Sequence, residues 1–109
     1  MRPPARAEQQ AAVHAIRECA EQLKSYEPEL VEELRACLRE HAATVQPSAT
    51  MSADIRAGCE RLVAQIRAVN DAIDRVQQYP EVIMARAVVL DQASTLAKRA
   101  RELLATLDQ

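Results

Sequence analysis

A single glycine, Gly58, serves the whole chain of 109 residues. Glycine reaches positive φ at no steric cost, and tight β-hairpins and phosphate-cradling loops depend on that freedom. One glycine cannot supply them, least of all one set inside an apolar periodic stretch. Alanine, the strongest helix former, stands at 21 positions, and apolar residues recur at steps of three and four along most of the chain. The expectation is an all-α fold: an elongated antiparallel bundle of three to four helices with coiled-coil heptad seams.

The breaks divide one helical domain, 1–109, into helices at about 5–24, 28–45, 52–78 and 80–107, with the clearest gap at 46–51. The first helix follows Pro3 and Pro4. It sets Ala5, Ala12, Ile16, Cys19, Leu23 and Tyr26 on one face; few of these are large, so it should be the most loosely held. The second follows Ser25-Tyr26-Glu27-Pro28, with Ser25 as the capping residue and Glu27, Glu29, Glu32 and Glu33 crowding the positive end of its dipole. Its stripe is broad: Leu30, Val31, Leu34, Cys37, Leu38, His41 and Val45. Neither Gly nor Asn stands at the junction, so a reversal and a kink in one long helix both stay open.

Gln46-Pro47-Ser48-Ala49-Thr50 interrupts the pattern, and Ser52 or Thr50 offers the next N-cap. In the third helix Ile55, Cys59, Leu62, Ile66, Val69, Ile73 and Val76 alternate steps of four and three. Read as heptads, Cys59, Ile66 and Ile73 take a, and Ile55, Leu62, Val69 and Val76 take d. Gly58 costs this helix roughly 1 kcal/mol relative to Ala, which close approach of a neighbouring helix would offset. Pro80 suits the first position of the fourth helix, whose second half carries the seam Val89, Ala93, Leu96, Ala100, Leu103 and Leu107. From Val82 to Leu90 every residue except Arg86 is apolar, and a helix apolar all round needs covering by others. The favoured reading makes this stretch the centre of the chain's own bundle; the second makes part of it a docking surface for a partner. Arg86 either reaches solvent along its methylene stem or meets a carboxylate of a neighbouring subunit.

No chemistry-bearing motif stands out. There is no phosphate loop, and the carboxylate pairs Glu32/Glu33 and Asp71/Asp74 fall on polar faces. Cys37 and His41 project from one helical face and, with Cys19 or Cys59, are the only route to a zinc site; small core residues explain them better. His14 reads as a surface residue. We expect no catalytic residue, no cofactor and no metal, hence no enzyme. Fourteen basic residues against sixteen acidic, no Phe and no Trp argue against nucleic acid. The longest apolar runs, 82–85 and 87–90, fall far short of the roughly 20 residues a bilayer span needs, and residues 1–10 are too polar for a secretory leader. Three cysteines without C-x-x-C spacing fit reduced thiols in a cytoplasmic protein.

What remains is a non-catalytic helical adaptor or structural subunit of a multiprotein complex, acting through coiled-coil or helix-in-groove contacts. The alternative is a small acidic helical chaperone or regulator, such as a bacterial secretion partner, holding an apolar segment of a client reversibly. The expected partners are other helical proteins or further copies of the chain, with no membrane insertion and no small-molecule substrate. The candidate contact residues are Ile66, Val69, Ile73, Val76, Val82, Ile83, Val89 and Leu96, whether they face inward or toward a partner.

Overall fold

The computed structural model describes residues 4–109; Pro3, expected just ahead of the first helix, lies outside them. Helices α1 (Arg6–Leu23), α2 (Pro28–Ala42), α3 (Ala53–Gln78) and α4 (Ile83–Leu107) account for most of these residues, with a short 3-10 turn (Ala43–Val45) closing α2. There is no strand among the described residues. Each helix runs antiparallel to the next, giving an all-α up-down-up-down bundle of 45 × 22 × 19 Å. α4 packs against both α3 and α1, α1 carries α2 on its other side, and α2 only grazes α3.

The junction of α1 and α2 is a full reversal. Tyr26 provides it by adopting φ 42, the left-handed conformation usually left to Gly or Asn at a helix end. Its backbone N–H donates to the Leu23 carbonyl at 3.1 Å, and the Ser25 N–H donates to that of Gln22 at 3.2 Å. Ser25 is not the cap of α2: Glu27 holds that position without a side-chain hydrogen bond, and Pro28 opens the helix. Ser52 does cap α3, its hydroxyl accepting from the Ile55 N–H at 3.4 Å.

α4 begins three residues later than the proline suggests. Pro80 belongs to a turn in which the Val82 N–H donates to the Tyr79 carbonyl at 3.0 Å, so Val82 becomes the N-cap and has no polar side chain to offer. Toward the other end of α4 stand Lys98, Arg99 and Arg101. Its last turn holds no basic residue. Arg6 of α1 supplies the charge instead, donating from Nη1 to the Leu107 carbonyl at 2.7 Å, while Gln10 Nε2 donates to Asp108 Oδ1 at 2.9 Å.

The core collects the periodic positions of all four helices. On α3, Ile55, Cys59, Leu62, Ile66, Val69, Ile73 and Val76 are buried, and so is the seam Val89, Ala93, Leu96, Ala100, Leu103 and Leu107 of α4. Gly58 sits where this packing is tightest: a Cβ there would lie 2.8 Å from Cδ1 of Leu103. Helix α1, expected to be loosely held, is wedged between two neighbours through Ala12, Val13, Ile16, Ala20 and Leu23, all buried. Small side chains here bring backbones close rather than leaving the helix unanchored. The α2–α3 side is closed by polar groups. Arg35 donates to Asn70 Oδ1 at 3.2 Å, Gln77 Oε1 at 3.2 Å and Asp74 Oδ1 at 2.7 Å, and Gln77 Nε2 returns to Glu32 Oε1 at 2.8 Å.

Candidate functional site

Helix lengths decide which part of α4 is left uncovered. Arg6 and Gln10, near the start of α1, reach Leu107 and Asp108 at the end of α4, so the 18 residues of antiparallel α1 stop short of the start of α4. The 25-residue α4 is the longer by seven residues, roughly 10 Å at 1.5 Å per residue. That overhang is the apolar stretch singled out in the sequence. Of its large side chains only Val89 is fully buried; Ile83 is 86% exposed, Met84 70%, and Val82, Val88 and Leu90 are also exposed. The expectation that Val82 to Leu90 forms the bundle's centre is thus overturned. Helix α1 is too short to reach it, so only α3 and the α1–α2 turn, through Tyr26, shield it.

Tyr79, at the end of α3, joins this cluster with half its surface exposed. Between the two helices lies an open groove of about 550 Å³, walled by Ala72, Val82, Met84, Ala85 and Val88, with Arg75, Gln78 and Tyr79 at its polar edge. Arg86, the one charge in the stretch, turns away from the groove. Its Cζ lies 5.2 Å from the ring centroid of Tyr26, a cation–π arrangement that ties the overhang to the α1–α2 turn. Arg86 is nevertheless exposed, as a side chain that reaches solvent along its methylene stem would be.

The eight candidate contact residues divide. Ile66, Val69, Ile73, Val76, Val89 and Leu96 lie in the chain's own core, whereas Val82 and Ile83 stand on the exposed end. Sequence reasoning passed over Tyr79, Met84, Val88 and Leu90 as contact residues. Their signal was present in the same all-round apolar run, but the face left uncovered depends on where α1 stops.

The remaining candidate chemistry is sparse. His14 is exposed and His41 half-buried. The Cys19 thiol donates to the Cys37 sulfur at 2.9 Å. Burial above all, then the contact with Cys37 and the charge of Glu18, pushes the Cys19 thiol up to about 12. Burial and the neighbouring Glu60 push Cys59 in the same direction. On the surface, Lys24 donates to Glu21 at 2.9 Å and holds that carboxyl below its usual range. Among the described residues no three His, Cys, Asp or Glu side chains converge as metal ligands, and no helix is long and apolar enough to cross a membrane. No protein-family model matches the chain, and neither a curated protein nor a solved structure matches it.

Proposed function

We propose that this chain is a non-catalytic adaptor or structural subunit of a cytoplasmic multiprotein complex, docking a helix of another protein on the overhanging end of α3 and α4. The observation that carries the reading is the cluster Tyr79, Val82, Ile83, Met84, Val88 and Leu90, exposed together around one groove. Contiguous apolar surface of this kind marks interaction sites, since leaving it in water is unfavourable in proportion to its area. Two parallel ridges with a groove between them suit an amphipathic helix, whose i, i+3, i+4 and i+7 residues would enter the groove. Arg75 and Gln78 at the rim would fix orientation more than affinity.

A reversible chaperone or regulator is the second reading, favoured by Met84. Its unbranched thioether adapts to varied apolar shapes, as surfaces that accept several clients require. The experiment is affinity capture with the tagged full chain from its native cell extract, alongside the variant Ile83→Glu/Met84→Glu. A fixed set of helical partners at near-equal amounts, lost in the variant while its melting temperature is unchanged, is the result expected of a subunit. Partners in low and variable amounts, also lost in the variant, would favour the chaperone. Partners retained by the variant would overturn docking at this end.

A further inference from the structure

Cys19 on α1 and Cys37 on α2 face each other across the helix pair with their sulfurs 2.9 Å apart, and both are free thiols. That separation is within about 1 Å of a sulfur–sulfur bond length. Proximity is accompanied by access. A surface cleft of about 370 Å³ lies between α1 and α2, and both cysteines form part of its wall beside Glu18, Glu33 and Leu34. The two sulfurs differ in exposure: Cys19 is buried, Cys37 only partly so.

We propose that Cys19 and Cys37 form a redox-closing pair, converted by a peroxide into a disulfide that fastens α1 to α2. Cys37, the more open sulfur and the acceptor of the Cys19 S–H, reacts first. Its thiolate attacks one peroxide oxygen, the O–O bond breaks, and hydroxide leaves, giving a sulfenic acid at Cys37. The Cys19 sulfur then attacks that sulfenic sulfur. The S–S bond forms, the S–O bond breaks, and the Cys19 proton leaves with the hydroxyl as water. In sum two thiols give up two electrons and two protons, and one peroxide is reduced to two waters. Burial and the contact with Cys37 keep Cys19 protonated, so it does not meet peroxide as a thiolate; its place 2.9 Å from the Cys37 sulfur is what suits it to resolving the sulfenic acid. Cys59, buried on α3, takes no part.

The bond would close a short loop, since the two residues are 18 positions apart. Cross-linking such a loop restricts the unfolded chain, and for a domain of this size a rise in Tm on the order of 10 °C is expected. The test treats the reduced full chain with hydrogen peroxide, followed by alkylation, intact mass and peptide mapping. We expect a mass lower by two hydrogens, a single alkylatable cysteine, a linked peptide joining Cys19 to Cys37, the higher Tm, and reversal by dithiothreitol. Cys59→Ser should form the same link and leave no alkylatable cysteine, and Cys37→Ser should yield no intramolecular link. The proposal is overturned if Cys37 gains oxygen without a link, if the link joins two chains or involves Cys59, or if all three thiols remain alkylatable under conditions that oxidise a dithiol peptide.

Discussion

Tyr26 bears two opposing contributions in one residue. A non-glycine side chain in the left-handed region costs roughly 1–2 kcal/mol, and here the ring offsets that cost by packing on the core and lying under Arg86. Tyr26→Ala keeps the backbone penalty and loses the ring, so urea denaturation should show a loss of about 1–2 kcal/mol. Tyr26→Gly loses the ring but relieves the backbone, and should be more stable than the Ala variant by about 1 kcal/mol. Equal stability of the two variants would mean that the left-handed backbone costs nothing here. Cys19 makes a second prediction. Its pKa is raised from 9.0 to about 12 in the folded chain, so folding favours the thiol over the thiolate. That stabilisation is complete below pH 9 and is lost as pH rises from 9 towards 12. Under reducing conditions, Tm should fall across this window less steeply in Cys19→Ala than in the wild type.

Between helices, the seams are of two kinds. α4 meets α1 and α3 through buried apolar positions, while α2 reaches α3 mainly through Arg35 and its amide and carboxylate partners. The Arg35 side chain is 16% exposed, and its planar fork serves three acceptors at once, a geometry Lys does not reproduce. Arg35→Ala should lower stability by about 1–2 kcal/mol, with Arg35→Lys recovering only a fraction. Because α2 only grazes α3, amide exchange should quicken in α2 well before α3 or α4. Uniform acceleration across all four helices would show instead that the bundle opens as one unit. None of this was legible in the sequence. Arg35, Asn70, Asp74 and Gln77 look like an ordinary solvated face until two helices are laid side by side. The apolar seams, by contrast, could be read directly, since 3.6-residue periodicity names the face a helix must bury wherever its neighbours stand.

For the molecule as a whole, the decisive contrast is between positions that look alike in sequence. Ile73 and Val82 are both β-branched residues of an apolar series, yet Ile73 is fully buried and Val82 nearly half exposed. Ile73→Asp places an unpaired charge in the core and should cost several kcal/mol, enough to abolish the cooperative thermal transition. Val82→Glu should leave Tm within a few degrees of the wild type. If Val82→Glu also melts the fold, the overhang is integral to the bundle and not a free surface.

Composition and periodicity sufficed for the fold class and the buried faces of α3 and α4, while the helix count stayed at three to four until the reversal at Tyr26 was seen. The near-absence of glycine and the abundance of alanine leave a chain few other ways to satisfy its backbone hydrogen bonds. Local chemistry also located most ends correctly, as with Ser52 and Pro28, because capping is settled within a few residues. It failed where a distant helix intervenes: Arg6 serves the end of α4 from the far end of the chain, and the ring of Tyr26 meets Arg86. The exposed end is the largest such case. An all-round apolar stretch announces that something must cover it, but coverage depends on relative helix length and register, and those exist only once the helices are packed.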